Sequence, residues 1–402
     1  MNILVGMLGL GLLVFVHEAG HFFTARAVGM SPRRFYIGFP PPLVRVRRKG
    51  IEYGIGAIPL GGYVKIPGMH RPAPSDLDAH LGPALAERPE LLARVEHVKR
   101  CLDEDDLPGA RALVPDLRQA LEEAELSGHA RRAARRGLSE LDDGLGGDAY
   151  WRQRTWKRIA VIFAGPGTNA LFAVVLFATL FVISSGGYRL GFSLEPDKPV
   201  VDEVRADRPA GQMGLEPGDR IVTINGKHVD AVEDVPQLIE ASAGHDVTLV
   251  VRRHGKSQTL GPASPHAEPK LSVPAASWES IRLTGLVTKE IGVSLFHLVH
   301  GQGRKDVASP VGIVEGSSEA LEQGAETYLW VLGLLSLSLA LLNLLPLLPL
   351  DGGHIAFSLV EGIRGRAVRR EVYERVSAVG IALVLLLFFI GLSNDVGRLR
   401  GN

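Results

Sequence analysis

The pentapeptide His17-Glu18-Ala19-Gly20-His21 combines residue types and a spacing that can bind a metal ion and use it. Residues i and i+4 share one face of an α-helix, so both imidazoles can ligate a single Zn²⁺. Glu18 then lies beside the ion, where its carboxylate can act as a general base toward a bound water molecule. The pattern therefore predicts the core of a zinc peptidase site.

The flanks of this pentapeptide are apolar, from Ile3 to Val16 before it and from Phe22 to Val28 after it. The alternative is a signal peptide or a plain anchor helix, but a signal peptide needs a basic region before its apolar run, and the first basic residue here is Arg26. Two histidines and a glutamate are also costly in hydrocarbon unless they bind a partner or do chemistry. The placement therefore predicts a zinc protease site within a membrane.

A catalytic zinc ion usually takes three protein ligands and keeps one position open. The best third candidate is Asp351, which follows the apolar run 343–350 and would be costly there without a function. Pro346 and Pro349 remove helix hydrogen bonds, so we expect a broken or extended chain before Asp351. Backbone exposed at that depth can pair with an unwound substrate. Asn343 would then hydrogen-bond a substrate peptide group; the alternative is a structural bond to a neighbouring group.

Four segments are long and apolar enough to cross a bilayer, which takes about 20 residues. They are residues 3–28, 159–184, 328–350 and 376–392. Basic residues cluster at 33–49, 152–158 and 364–370, and all of these fall on the cytoplasmic side if the N-terminus lies outside. The first and third segments then both run inward, which brings the two histidines and Asp351 to a similar depth.

The composition of the chain excludes several other classes of protein. Of 402 residues, 46% are hydrophobic and the formal net charge is zero, which fits a mixed membrane and soluble protein. The single cysteine, Cys101, rules out an intrachain disulfide framework and a cysteine-based zinc site. The basic residues lie next to apolar segments instead of forming a surface for nucleic acid, so we expect no nucleic acid partner.

Three motifs together resemble the site-2 protease family, and more narrowly its bacterial branch with a PDZ domain. They are HEAGH at 17–21, FAGPGTN at 163–169 and NLLPLLPLDGGH at 343–354. The resemblance implies that His17, His21 and Asp351 bind zinc and that Glu18 is the catalytic base. The glycines of the second motif permit close helix approach, and for Asn169 we expect a structural hydrogen bond.

Residues 53–66 carry β-branched residues, aromatics and paired glycines, which predict a hairpin or strand. By resemblance, residues 58–65 form the membrane-associated β-loop of the family, beside the active site. Gly61, Gly62 and Tyr63 would then bind a substrate that adds a strand to the sheet edge. The alternative is a juxtamembrane hairpin that only packs.

Residues 196–262 are expected to form a small α+β domain. The run AGQMGLEPGDRIVTING at 210–226 resembles a PDZ domain of bacterial proteases. Such domains bind an extended peptide between a sheet edge and a helix, so the module is expected to dock a substrate outside the cytoplasm. The alternative is a steric module with an empty groove. Residues 188–192 precede this module. They show only a weak resemblance to a loop that binds a peptide carboxylate.

Two further regions have their own patterns. Residues 71–150 alternate apolar and charged side chains and predict two or three short amphipathic helices, over 85–102, 108–126 and 129–145. Residues 263–326 begin with a stretch rich in glycine, proline and serine, which predicts a linker, and continue with an amphipathic segment at 283–299.

The expected architecture is a mainly α-helical multi-pass membrane protein of about four transmembrane helices, with one inserted PDZ-like α+β domain and a helical cytoplasmic insertion. Its expected divisions are the first transmembrane helix and β-loop (1–70), the charged insertion (71–150), the second transmembrane helix (151–185), the PDZ-like domain (196–262), the linker and amphipathic segment (263–326), and the third and fourth transmembrane helices (327–402).

The resemblance implies an intramembrane zinc endopeptidase of the bacterial inner (plasma) membrane, with the PDZ-like module outside the cytoplasm. Its substrate would be a membrane-spanning protein already cut by another protease, such as an anti-sigma factor or a remnant signal peptide, in regulated intramembrane proteolysis. Two alternatives stay open, a metal transporter that uses the same ligands and an inactive scaffold that recruits partners. Intact Glu18 and Asp351 favour the protease.

Overall fold

The computed structural model of this chain describes residues 2–184, 187–195, 198–232, 234–268, 270–300, 302–303, 307–368 and 370–401. They form two compact units, one of Met1–Leu176 with Leu283–Asn402 and one of Phe177–Arg282. The first unit is mainly helical, whereas the second is small and rich in β-strands.

Helices make up most of the chain, as its apolar runs and amphipathic patterns predict. In order they are α1 (Asn2–Ala27), α2 (Pro74–Glu87), α3 (Leu92–Asp103), α4 (Leu107–Glu123), α5 (Gly128–Leu145), α6 (Thr155–Ser184), α7 (Pro209–Gln212), α8 (Asp234–Glu240), α9 (Val273–Val299), α10 (Pro310–Gln323), α11 (Ala325–Asn343), α12 (Asp351–Arg364) and α13 (Arg370–Gly401). Within the described residues, four of them are long and apolar enough to cross a membrane: Leu4–Ala27, Thr155–Ser184, Ala325–Asn343 and Val372–Arg398. The prediction of a mainly helical protein with four such helices is confirmed.

The third of these helices is broken before Asp351, as Pro346 and Pro349 predict. Helix α11 stops at Asn343 instead of continuing to 350, a turn follows, and α12 begins at Asp351. Pro346 and Pro349 explain the break, because proline has no N–H to donate and its ring clashes with the preceding helical turn. The break makes Asp351 the first residue of a new helix.

A small sheet follows α1, built from two long strands, β1 (Arg34–Arg48) and β2 (Ile51–Lys65). Residues 34–37 pair with 52–55 on one side and with 62–65 on the other. Residues 62–65 therefore form an edge of this sheet, because no strand of the described chain pairs with their other side. We call residues 62–65 the edge strand.

Residues 74–145 form four amphipathic helices, α2 to α5, around an apolar core of their own. The sequence predicts one helix over 85–102, but Pro89 interrupts this range, and a 3₁₀ turn separates the end of α2 from α3. Asp143, buried at the end of α5, ties this bundle to the sheet, since its carboxylate lies 2.8 Å from Arg33 Nε and 2.8 Å from Lys65 Nζ. A buried carboxylate thus joins the charged insertion to the edge strand.

The second unit is built from short strands. They are β3 (Gly187–Arg189), β4 (Phe192–Leu194), β5 (Val201–Val204), β6 (Arg220–Ile224), β7 (Lys227–His228), β8 (Val247–Arg253), β9 (Lys256–Ala263) and β10 (His266–Glu268). A four-stranded sheet has the order β7-β6-β8-β9, and two further pairs are β4–β5 and β3–β10. The pairing of β10 with β3 gives regular structure to residues expected to be a linker, because it satisfies backbone groups on both segments.

Candidate metal centre

Helix α1 presents His17 and His21 on one face, as their spacing requires. Both side chains are buried, and their Nε2 atoms lie 3.2 Å apart. Helix α6 orients the second ring, because His21 Nδ1 donates a hydrogen bond to the carbonyl oxygen of Val161 at 2.8 Å. A neutral imidazole with its proton on Nδ1 carries a lone pair on Nε2, which is the form that binds a metal.

Asp351 joins these histidines from the start of α12. Its Oδ2 lies 3.1 Å from His17 Nε2 and 3.3 Å from His21 Nε2. The same oxygen is buried and has no hydrogen-bond partner among the described residues. Tight packing of the helix start permits this position: a Cβ on Gly352 would lie 2.2 Å from the carbonyl oxygen of Leu344, so the turn before α12 requires glycine there.

The three atoms form a nearly equilateral triangle with edges of 3.1, 3.2 and 3.3 Å. Ligands bound at the usual distances to a tetrahedral Zn²⁺ lie about 3.3 Å from one another, so the triangle has the size of one face of a zinc site. Without a cation, two imidazole lone pairs and a carboxylate oxygen would repel one another in a buried site. The donor set and its spacing therefore fit Zn²⁺ with a fourth position open.

Helix α6 forms one wall of this cluster. A Cβ on Gly165 would lie 2.3 Å from His21 Nε2 and 2.9 Å from His17 Cε1. On the facing helix, a Cβ on Gly20 would lie 2.4 Å from the carbonyl oxygen of Ala164. Helices approach this closely only where small residues face each other. The close approach expected from the glycines of FAGPGTN is present.

Glu18 lies next to the histidines and against the edge strand. A Cβ on Gly62 would lie 2.9 Å from Glu18 Cγ, so the edge strand packs directly against this side chain. The ring of Tyr63 stacks on that of Tyr36, with 5.2 Å between centroids. The edge strand and Glu18 therefore border the same side of the cluster.

Two asparagines near the cluster differ in their hydrogen bonding. Asn343 Nδ2 donates to the carbonyl oxygen of Leu339, at 3.0 Å in its own helix, which is the structural alternative to a substrate contact. Asn169 is fully buried, and neither side-chain atom has a hydrogen-bond partner among the described residues. The structural bond expected for Asn169 is therefore not found.

The sequence interpretation missed a buried ion pair that fixes α12 against α6. Arg158 Nη2 lies 2.5 Å from Glu361 Oε2, and both side chains are largely buried. Beside them, the Tyr150 hydroxyl lies 3.0 Å from Ser358 Oγ. The charged partners are 203 residues apart in the chain, so no local pattern indicates the pair. The pair holds the helix that begins with Asp351.

The whole chain matches known zinc metalloproteases. The family model for Peptidase family M50 matches residues 5–387. The zinc metalloprotease RasP of Geobacillus kaustophilus is 29% identical over 96% of this chain and 96% of that protein. RasP of Oceanobacillus iheyensis is 28% identical over 97% of each, and the Mesorhizobium japonicum protein mll0638 is 30% identical over 96% of each.

These matches define the class of the protein: a zinc-dependent metallopeptidase with apolar, membrane-spanning helices. The chain belongs to peptidase family M50, the site-2 protease family. It is a zinc metalloendopeptidase and a membrane protein.

Gly165→Ala should remove zinc binding, because its methyl group would overlap His21 and push both imidazoles apart. We expect zinc affinity to fall by about 100-fold or more, measured by competition with a chelator. Gly11→Ala is the matched control on α1, since a Cβ there meets nothing within 4 Å. Native zinc affinity in a folded Gly165→Ala protein would contradict the proposed ligand set.

Proposed function

We propose that this chain cleaves membrane-spanning proteins, with His17, His21 and Asp351 holding zinc and Glu18 as the general base. One observation carries this proposal: the three ligand atoms lie 3.1–3.3 Å from one another in a buried site beside Glu18. The helix that holds Glu18 and both histidines is long enough to span a membrane. A site at such a depth reaches only chain segments that lie in or next to the bilayer.

Zn²⁺ supplies a Lewis acid that polarises a carbonyl group and lowers the pKa of bound water. Glu18 accepts a proton from the water that attacks the scissile carbonyl and passes it to the leaving amine. The contact of the edge strand with Glu18 at Gly62 limits the positions that this side chain can take. The steps consume one water molecule and leave a new carboxylate and a new amine.

The edge strand is the proposed binding site for the substrate main chain. A substrate helix bonds its own backbone groups and must unwind before attack, and a free sheet edge offers replacement partners. Gly61 adopts a φ of +135° and Gly62 has no room for a side chain beside Glu18, so the backbone can approach both base and substrate closely. With Tyr63, these glycines would pair with the unwound segment.

The proposal also assigns a membrane side and a pathway. Three clusters of basic residues next to the apolar segments support an N-terminus outside the cytoplasm of the inner membrane. In that orientation the second unit lies outside the cytoplasm. The substrate would be a membrane protein whose outer portion another protease has removed, such as an anti-sigma factor or a remnant signal peptide, in regulated intramembrane proteolysis.

Glu18→Gln should keep zinc and the fold but lose cleavage, because glutamine cannot accept the proton. We expect the cleavage rate to fall by about 10²–10⁴-fold, measured on gels with a reconstituted membrane substrate that lacks its outer portion. Asp351→Asn should lose both zinc and activity.

The same assay separates the two alternatives. A transporter would move metal across sealed vesicles at an equal rate with native protein and Glu18→Gln, and neither would give product. A scaffold would bind the substrate in both forms and cut it in neither. Either result would exclude the protease.

Gly62→Ala should keep zinc but impair cleavage, because its Cβ would lie 2.8 Å from the Tyr36 carbonyl oxygen and 2.9 Å from Glu18 Cγ. We expect kcat/KM to fall by about 100-fold, as a displaced base predicts, in the gel assay above. Val46→Ala, at an exposed position of the same sheet, is the control. Unchanged kcat/KM in Gly62→Ala would exclude the edge strand as the substrate site.

We further propose that the second unit is a PDZ-like domain that binds a peptide. Among the described strands, β4 pairs with β5 alone, and a cavity of about 610 Å³ lies between β4 and α8. Its apolar lining includes Leu190, Phe192, Val232 and Val235. Residues 189–192, part of the stretch that is only weakly similar to a carboxylate loop, line this cavity. Its chemistry suits an extended peptide with an apolar C-terminal residue.

Val232→Glu should weaken this peptide binding at least tenfold, because a charge would be desolvated against the apolar C-terminal residue. The measurement is binding of a fluorescent peptide with a C-terminal valine, added outside spheroplasts that display the native protein. Thr259→Glu adds the same charge on exposed β9 and should bind normally. Binding only after the membrane is opened would instead place the domain inside.

A further inference from the structure

Asn169 is a buried amide that the mechanism above does not use. Its side chain is 0% exposed, and both Nδ2 and Oδ1 lack hydrogen-bond partners among the described residues. Its backbone carbonyl is bonded, since it accepts a hydrogen bond from Ser336 Oγ at 2.8 Å. A buried donor and acceptor left unpaired destabilise a fold, and native proteins contain few of them. The position therefore points to a partner that is not part of this chain.

The helix places this amide beside the metal cluster. Asn169 follows Gly165 by four residues on α6, so the two share a face. Gly165 is where α6 contacts the cluster, because a Cβ there would lie 2.3 Å from His21 Nε2. Side chains on a helix lean toward its N-terminus. The Asn169 amide therefore leans toward the level of Gly165, where α6 meets the histidines.

Two other polar side chains of the sequence motifs, those of Thr168 and Asn343, form hydrogen bonds within the fold. Thr168 Oγ1 donates to the carbonyl oxygen of Val16 at 3.1 Å. Asn343, the asparagine that the sequence favours for the substrate, donates to the carbonyl oxygen of Leu339. Asn343 uses one N–H in that bond, whereas both amide atoms of Asn169 are buried and have no partner among the described residues.

We propose that Asn169 binds a main-chain peptide group of the substrate next to the scissile bond, with Nδ2 donating to the peptide carbonyl and Oδ1 accepting from the peptide N–H. An amide offers both a donor and an acceptor, which matches a peptide group, whereas a carboxylate or phosphate offers acceptors alone. This assignment rests on the proposed function and names a further substrate contact for it.

The chemistry of an unwound substrate requires such a contact. A chain paired with the edge strand directs alternate peptide groups away from that strand. In a site removed from bulk water, those groups lose hydration without replacement unless the protein supplies a partner. Asn169 can supply such a partner from α6. Helix α6 and the edge strand lie against different faces of α1, since Gly165 contacts His21 whereas Gly62 contacts Glu18.

The test measures binding of a synthetic membrane-spanning peptide to the full chain in the Glu18→Gln background, where nothing is cut. Asn169→Leu replaces the amide with an apolar side chain of similar size. We expect about tenfold to 100-fold weaker peptide binding, with native zinc content and a melting temperature that is equal or higher. Ser336→Ala, which removes the bond to the Asn169 backbone but not the amide, should bind the peptide normally.

A chemical change in the peptide tests the hydrogen bond itself. Each peptide bond near the cut site is replaced in turn by an ester, which removes one N–H donor. One ester should weaken binding to the asparagine protein by about tenfold and leave binding to Asn169→Leu unchanged, because the partner of that N–H is already missing.

Equal binding by Asn169→Leu and its parent, or ester effects that are the same in both, would overturn the proposal. If Asn169→Leu does not fold, Asn169→Ala takes its place in the same comparison. A loss of zinc without a loss of peptide binding would also overturn it, in favour of a role in metal binding. Failure of the proposed function has a separate sign, which is cleavage by Glu18→Gln itself.

Discussion

Helices α1 and α6 touch through two glycines, Gly20 and Gly165, and the candidate site is built on this contact. Gly20 lies against the backbone of α6, and Gly165 lies against the two histidine rings. At this distance a backbone carbonyl of α6 reaches His21 and fixes the tautomer that leaves Nε2 free for a metal. A side chain at either glycine would separate the helices, and the ring would lose its orienting partner.

Further contacts bring the remaining groups to this pair of helices. The ion pair of Arg158 with Glu361 fixes α12, and the broken end of α11 lets Asp351 start that helix at the depth of the histidines. On another face of α1, the edge strand lies against Glu18. Asp143 then joins the edge strand to the charged insertion. The insertion is therefore mechanically linked to the strand beside the proposed base.

Several buried polar atoms without a hydrogen bond lie around this site. They include His17 Nδ1, Asp351 Oδ2 and the two amide atoms of Asn169. Buried polar groups elsewhere in a fold are normally paired, so such a concentration is typical of a site whose partners are a metal and a substrate. Leaving these atoms unpaired lowers the stability of the fold. This cost is expected where the atoms are kept for binding a metal ion and a substrate.

The sequence by itself determined the elements and the metal-binding residue types. Helical periodicity put His17 and His21 on one face, hydropathy gave four candidate membrane helices, and the prolines predicted the break before Asp351. These features are local, so a single segment carries each of them. The resemblance of three motifs to the site-2 proteases added the family, which the comparisons confirm.

Only the tertiary structure decided which groups meet. Arg158 and Glu361 lie 203 residues apart, and β3 and β10 pair from opposite ends of the second unit. The fold bonds one N–H of Asn343 within its helix and leaves both amide atoms of Asn169 without a partner among the described residues, which no local pattern indicates. Such outcomes depend on how distant segments pack, because a polar side chain is free or satisfied only relative to neighbours that folding brings to it.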